Sequence, residues 1–408
     1  MMPTANARVL ILKKLGRAQY ELRPELGPDQ ARAELGASNP DSAPATPTLT
    51  PARVPALAQA LYRQGAEAVL ILDVLDHMGY AVHWLETAHA RGWVYANGAI
   101  GPAQLKAAWL AHLSAGFVPA DAALLAWPSL PFLSWGEAML AARDLPPLSE
   151  ATSAALEASP RASSALGLYA IADAVQPLRK ILQAGVRTVQ LRMKRPTGWK
   201  ADSPEGRNWE AHLRAAIAES IALSQEYGAQ LFINDHWELA AQLGAQAVHL
   251  GQEDLLALGD VGRAQLQATG LSLGVSSHAV WELCRARVVA SAYLACGPIW
   301  PTTTKDMPWH PQGLDNLAWW CEAGQRPVVA IGGILGAEQV RLTAAQGASG
   351  VCVLRGLGDD PSLTVPALQA AFDLGRAQAA ESLCVGEASH STGSLTARQP
   401  HPSLDPEA

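Results

Sequence analysis

Cysteine is scarce and poorly placed for chemistry. Its five copies, Cys284, Cys296, Cys321, Cys352 and Cys384, lie far apart and are odd in number. No C-x-x-C pair occurs, so the sequence indicates neither a structural zinc site nor a disulfide framework. A reducing cytoplasm is the expected location. Positive charge is short too. The 30 Lys and Arg against 37 Asp and Glu leave a formal net charge of −7, which argues against a general nucleic-acid binder, because such surfaces are basic. No apolar run reaches the roughly 20 residues of a membrane-spanning helix, so no membrane association is expected. The apolar stretch in MMPTANARVLILKK at the N-terminus is too short for a secretory signal. Charged residues make up 16% of the chain and hydrophobic ones 49%. Over 408 residues that balance supports large cores, and the usual domain size suggests two of them.

The chain divides by texture. Residues 1–150 read as a small α/β domain, interrupted at 37–55 by ASNPDSAPATPTLTPARVP, whose Pro, Ser, Thr and Ala content marks a flexible linker. Within it RVLIL, AEAVLILDVL and AVHWLETA are strand candidates. ALAQALYRQG and PAQLKAAWLAHLSAG have helical spacing, the second ending at Gly116. Residues 151–166 are small and polar, a second linker. Residues 378–408 lose all periodicity and read as a disordered tail, in which His390 and His401 have no ligand spacing.

From Gly167 short apolar runs recur: 167–173, 188–194, 230–235, 247–251, 271–276, 292–299, 327–333 and 350–356. Ala-rich helical stretches lie between them. Eight strand–helix alternations over residues 167–377 predict an α/β fold with a parallel sheet, and eight is the number that closes a (β/α)₈ barrel. An open doubly wound sheet is the alternative. The barrel is preferred because polar residues end so many different strands, and in a barrel those ends converge on one face.

The polar strand ends are the candidate site. The second strand finishes with Gln190, Arg192 and Lys194, which alternation puts on one side. An amide, a guanidinium and an ammonium aimed together suit a highly charged phosphate; the competing reading is a solvent-facing polar edge. The third strand ends at Asn234 and Asp235, and Asp254 follows the fourth. Two carboxylates at neighbouring strand ends suit a shared magnesium ion completed by substrate oxygens and water. Each is also placed to cap the following helix. Ser276 ends the fifth strand, where capping is the plainer role, and His249 inside the fourth reads as a packed core histidine. After the sixth strand comes Gly-Pro-Ile-Trp-Pro-Thr-Thr-Thr-Lys, residues 297–305. Its hydroxyls Thr302, Thr303 and Thr304 and the cation Lys305 suit an anion, or form an ordinary polar loop. Gly333 and the Leu354-Arg355 pair end the last two strands, where barrels often offer backbone N–H groups to a phosphate. No Ser/His/acid set is aligned for nucleophilic catalysis.

Taken in order, QLRMK, FIND, VHLGQED, LGVSSH, GPIWPTTTK and VVAIGGI resemble the thiamine phosphate synthases over residues 167–377. The resemblance implies a magnesium-dependent transferase. Hydroxymethylpyrimidine pyrophosphate loses pyrophosphate through a carbocation-like pyrimidine, and a thiazole phosphate captures it to give thiamine phosphate. It assigns Gln190, Arg192, Lys194, Asn234 and Lys305 to the pyrimidine pyrophosphate, Asp235 and Asp254 to Mg²⁺, and Ser276 to the pyrimidine. Thr302, Thr303, Thr304, Gly333, Leu354 and Arg355 go to the thiazole phosphate. Lys305, Ser276 and Arg192 are the residues expected nearest the reacting bond. This chain departs from the family pattern at Met193, where Glu is frequent, and at Arg355, where Ser is frequent. The partners implied are small molecules, with no nucleic acid and no membrane; a homo-oligomer is compatible with the sequence. Two other readings are a thiazole tautomerase of the same fold, which generally lacks the full pyrophosphate-and-metal set, and a catalytically silent thiamine-pathway binding protein. Residues 65–116 also resemble the C-terminal part of hydroxymethylpyrimidine phosphate kinases. The Gly-rich turn is Asn97–Pro102, without that family's Cys or Asp, which implies a remnant without kinase activity.

Overall fold

A computed structural model describes residues 7–16, 19–23, 49–76, 80–96, 100–140, 166–302, 308–388 and 399–405. The chain forms two compact units. The first takes residues 1–152 with two returning pieces, Ala279–Val289 and Pro402–Ala408. The second takes Ser153–His278 and Ala290–His401.

The first unit is built on a six-stranded antiparallel sheet. Its strands are β1 (Arg8–Gly16), β2 (Gln19–Leu22), β3 (Ala68–Leu75), β4 (Ala81–Thr87), β5 (Arg91–Tyr95) and β6 (Phe132–Leu133), in the order β2-β1-β3-β4-β5-β6. The run AVLILDVL makes β3 a central strand, its first five residues all buried. Trp84 and Trp93 face each other across β4 and β5, edge to face with ring centroids 5.2 Å apart, in a core shared with Val9, Val69 and Ile71. Such aromatic pairs add stability beyond the area they bury. The strand candidates RVLIL, VLIL and AVHWLET and both helix candidates are present. The first helix begins in the segment read as a linker: Pro51–Arg53 form a 3₁₀ turn leading into Val54–Arg63. Val54 is fully buried, and that burial outweighs the loop-like composition. Residues 97–99 of the Gly-rich turn, and the linker at 151–166 up to residue 165, lie outside the described residues.

The helix Val280–Ala286 belongs to this first unit, although in the chain it falls between two strands of the second. All seven of its residues are buried. The Asp121 carboxylate accepts the Trp281 N–H at 2.9 Å, serving as a helix cap supplied from 160 residues away. The buried Arg285 donates to the Arg91 carbonyl, and Arg287 to those of Leu130 and Pro131.

The second unit is a closed barrel of eight parallel strands. They are β7 (Gly167–Ala172), β8 (Thr188–Leu191), β9 (Gln230–Asn234), β10 (Ala247–Leu250), β11 (Ser272–Ser277), β12 (Ser291–Cys296), β13 (Val328–Ile331) and β14 (Gly350–Val353). Each pairs with its neighbour in sequence, and β14 closes on β7. The interior is packed by Tyr169, Phe232, Tyr293, Val329 and Cys352 among others. All eight predicted strands exist. Most are shorter at their C-terminal ends than the apolar runs suggest: β8 stops at Leu191, with only the Arg192 N–H still paired to the Ala172 carbonyl at 2.7 Å. The residues beyond are loop, and Arg192 and Lys194 lie there.

The reading of 378–408 as tail needs revision at both ends. The last helix runs Pro361–Ala388. At 399–405 the chain is placed again, with the His401 N–H donating to Asn316 Oδ1 at 2.7 Å and Asn316 Nδ2 donating to the His401 carbonyl at 3.1 Å. A buried Asn that satisfies both backbone groups of one residue imitates a strand pairing, a signal that periodicity does not register. Residues 389–398 lie outside the described set. Among the described residues no helix is long and apolar enough to cross a membrane.

Candidate functional site

The mouth of the barrel gathers the polar strand ends, and its floor is a single hydrogen-bonded chain. Gln190 Nε2 donates to the Tyr169 hydroxyl at 3.0 Å, and the Tyr169 and Tyr293 hydroxyls are 2.9 Å apart. Nδ1 of His249 lies 2.8 Å from the Tyr293 hydroxyl, and its Nε2 lies 2.9 Å from Ser276 Oγ. Burial pushes the His249 pKa down to about 4, so the ring is neutral near pH 7. One arrangement uses every proton: Tyr293 donates to Nδ1, and His249 Nε2–H donates to Ser276 Oγ. The Ser276 hydroxyl proton then remains for a ligand. His249 also feels the charges of Asp235, Arg192, Lys194 and His278. Those residues come from the ends of β8, β9 and β11, so they converge on one place.

Asn234 is 4% exposed, and its Nδ2 has no hydrogen-bond partner among the described residues. A buried donor left unpaired costs about 1–3 kcal/mol, a cost that an anionic ligand would offset. Asp235, next in the chain, has φ of +64°, the left-handed region that Asp tolerates better than most residues. Its Oδ2 receives a 2.6 Å hydrogen bond from Lys194 Nζ. Asp235 does not cap the following helix: His236 holds the N-cap position of Trp237–Gln242. Asp254 does cap. From the third position of Gln252–Ala257 its Oδ2 accepts the Gly251 N–H at 3.1 Å. Its pKa is raised, first by partial desolvation and then by the negative charge of Asp235. The two carboxylates are therefore electrostatic neighbours. Ser276 does not cap the next helix either; its side chain turns to His249.

The loops after β12 and β13 are laced together. Ile299 N–H donates to the Ile331 carbonyl at 2.9 Å, and Trp300 N–H to the Gly332 carbonyl at 3.1 Å. Gly333 has φ of +72°, and a Cβ there would sit 2.6 Å from Trp300 Cβ and 2.7 Å from its carbonyl oxygen. Only glycine meets both conditions. Gln339 clamps the loop, donating to the Gly333 carbonyl and accepting the Leu335 N–H. After β14, Leu354 and Arg355 are exposed at the start of a 3₁₀ turn, Arg355–Leu357. Thr302 is half-buried; Thr303, Thr304 and Lys305 lie outside the described residues.

A family model described as thiamine monophosphate synthase matches residues 168–357, the barrel itself. A thiamine-phosphate synthase of Neisseria meningitidis serogroup A is 41% identical over 213 residues, covering 52% of this chain and 96% of that protein. The Photorhabdus laumondii thiamine-phosphate synthase is 42% identical over 190 residues, 46% of this chain and 81% of that one. The chain belongs to the thiamine-phosphate synthase family. A solved thiamine phosphate pyrophosphorylase from Pyrococcus furiosus is 27% identical, overlaying 52% of this chain and 96% of its own with a TM-score of 0.42.

Within this synthase the structure adds residues that the sequence did not single out. Tyr169 and Tyr293 look like core aromatics, and only their facing hydroxyls show that they carry the chain from Gln190 to His249. His249 is buried as expected, but it is a member of the site as well. Gln252 ties the end of β10 to that of β11, donating to the Ser276 carbonyl at 3.1 Å and to Ser277 Oγ at 3.3 Å. Its polar position two residues before Asp254 was its only signal. Cys284, Cys296 and Cys352 are buried, and burial raises their pKa values, that of Cys284 to about 12. None of the three offers a thiolate.

Proposed function

We propose that the barrel joins hydroxymethylpyrimidine pyrophosphate to a thiazole phosphate, releasing pyrophosphate and giving thiamine phosphate, with Mg²⁺ held by Asp235 and Asp254. The observation that carries this reading is one mouth holding both cations, Arg192 and Lys194, and both carboxylates, Asp235 and Asp254. The donor set fits magnesium. Two hard oxygen ligands from the protein, with substrate oxygens and water completing the shell, is its usual mode. The Lys194 ammonium paired with Asp235 supports a position that attracts positive charge. Among the described residues no group of three or more His, Cys, Asp or Glu gathers for a fully protein-made metal site. When bound, the metal neutralises charge on the pyrophosphate as it departs.

In the reaction the bond from the pyrimidine methylene carbon to the pyrophosphate oxygen breaks, and its electron pair leaves with pyrophosphate. The thiazole nitrogen then supplies the pair for the new carbon–nitrogen bond. Arg192, Lys194 and the unpartnered Asn234 amide meet the leaving group with positive or donor groups already in place, which lowers the barrier without reorganisation. Gln190 and Ser276, oriented by the tyrosine–histidine chain, hold the pyrimidine. Gly333 and the backbone at Leu354 and Arg355 receive the thiazole phosphate with Thr302, Thr303 and Thr304; Lys305 joins the pyrophosphate side.

No protein nucleophile is needed, and among the described residues the geometry offers no activated one. A histidine whose pKa burial holds at about 4 is a weak base near neutrality, so His249 is a poor partner to activate the Ser276 hydroxyl. Retention of Gln190, Arg192, Lys194, Asp235 and Asp254 together favours the synthase over the tautomerase. The test is pyrophosphate release from the full-length protein given both substrates, with and without Mg²⁺. Release that needs both substrates and the metal supports the proposal. Binding of both without release would make the protein a silent binder.

A further inference from the structure

The loop that follows β8 is 12 residues long, from Arg192 to Ser203, whereas strand-to-helix loops in α/β units usually take about 2–6. Lys194 is its third residue. A lysine on so long a loop would be a poor partner for a defined anion unless something fixed its backbone. His236 supplies the fixing contact. Its Nε2 lies 2.8 Å from the Met193 carbonyl, and because a carbonyl only accepts, that nitrogen carries the proton.

The position of this bond is what matters. Met193 immediately precedes Lys194, and His236 immediately follows Asp235. One imidazole therefore holds the peptide leading into the ammonium and the residue leading out of the carboxylate, on either side of the 2.6 Å Lys194–Asp235 pair. Asp235 needs holding, since its φ of +64° is not a conformation the chain adopts without support. The imidazole is itself wedged. Trp209 packs edge-on against it with centroids 5.5 Å apart, Trp199 packs on Trp209 at 6.2 Å, and the Arg195 guanidinium lies 4.6 Å over Trp199. The row Arg195, Trp199, Trp209 and His236 folds the long loop back on its own start.

We propose that His236 is a positioning residue for the pyrophosphate-bearing substrate, a clasp that ties the loop after β8 to the end of β9 and sets the Lys194–Asp235 geometry. This rests on the assignment of Lys194 and Asp235 to that substrate and its metal. The clasp does not touch the loops after β13 and β14, so its effect is confined to one of the two substrates.

The test compares His236→Phe, which keeps an aromatic ring against Trp209 but removes the donor, with His236→Gln, which returns an N–H at similar reach. Steady-state kinetics are run on the full-length protein with each substrate varied in turn. For His236→Phe we expect the KM of the pyrimidine pyrophosphate and the Mg²⁺ requirement to rise by about tenfold, the scale seen when a partner behind a metal ligand is removed. The KM for the thiazole phosphate should stay within about twofold, and His236→Gln should recover most of the loss. Unchanged kinetics, equal rises for both substrates, or a Gln variant as poor as the Phe variant would each overturn the clasp. So would failure of both variants to fold, which would make the role structural. If the wild-type protein does not turn over, the synthase reading fails instead. The clasp is then scored by calorimetry with inorganic pyrophosphate and Mg²⁺, where equal binding by wild type and His236→Phe would overturn it.

Discussion

Lys194 Nζ lies 2.6 Å from Asp235 Oδ2 across the ends of two neighbouring barrel strands, with Lys194 about half exposed and Asp235 mostly covered. An ion pair this open contributes little to stability, about 0–1 kcal/mol. Its value is in chemistry. On the proposed assignment, a pyrophosphate would draw the ammonium and a magnesium ion the carboxylate, so the pair would hold both charges where the reaction needs them.

The first prediction separates the charge of Asp235 from its backbone. Asn tolerates the left-handed region, so Asp235→Asn should fold with nearly wild-type stability. It should lose at least about tenfold in turnover at fixed Mg²⁺, as expected when a metal ligand loses its charge. Asp235→Ala should lose the same activity and a further ~1 kcal/mol of stability, because Ala is strained at a φ of +64°. Thermal melts of the two variants side by side, with pyrophosphate release, check both halves.

For Asp254 the sign of the pKa shift matters. Its folded pKa is raised above the ordinary 3.8 by burial and by Asp235. The ionised form, which the proposed metal site needs, is therefore lost sooner as pH falls than for a free carboxylate, and the acid limb of activity should lie above pH 3.8. Asp254→Asn retains an oxygen for the Gly251 N–H, so the fold should survive while Mg²⁺-dependent turnover falls by about 10–100-fold. Wild-type kinetics in that variant would remove Asp254 from the metal site.

At Gly333 a methyl group is enough to perturb the site. Gly333→Ala must adopt a φ of +72° and place its Cβ 2.6 Å from Trp300 Cβ. The strain should cost about 2 kcal/mol, a fall in Tm of roughly 4–8 °C. The displaced loop should raise the KM for the thiazole phosphate more than that for the pyrimidine pyrophosphate. Differential scanning calorimetry and two-substrate kinetics read the two effects.

The barrel was legible because its strands are continuous apolar runs at regular spacing, and all eight were found from that pattern. The strand ends were not, because the apolar-to-polar change at 191–194 looks like alternation until pairing shows where the ladder stops. Gln190, Asn234, Asp235 and Asp254 could be marked by polarity and position alone. Tyr169, Tyr293 and His236 could not, since a Tyr in a strand and a His after an Asp have the same local pattern whether or not a partner arrives from far along the chain. Val280–Ala286 is the plainest case. Its helix is visible in sequence, but its contacts with the first unit, from the Asp121 carboxylate to Trp281 and from Arg285 and Arg287 to carbonyls, are not announced by any spacing in the chain.

That carboxylate sets the last prediction. Asp121 is 2% exposed, and burial pushes its pKa from 3.8 up to about 7, against the pull of the Trp281 and Val280 N–H groups. Between those two values the folded protein keeps a proton that the unfolded chain has released. Stability contributed at this position is therefore greatest below pH 3.8, falls as pH rises toward 7, and levels off above. The full swing is at most about 4 kcal/mol. His83 has the opposite slope over much of the same window, because burial holds its pKa at about 4 and it favours the unfolded chain as pH drops below 6.5. The raw melting profile mixes the two, and the difference between wild type and Asp121→Asn isolates one. Asn keeps an oxygen for the Trp281 N–H and has no charge to bury. The variant should gain on wild type from pH 5 to about pH 7, hold that gain above, and be the more stable protein at pH 8. A gap that does not change with pH would mean that Asp121 is already ionised in the folded protein at pH 5, and that its two N–H bonds outweigh its burial.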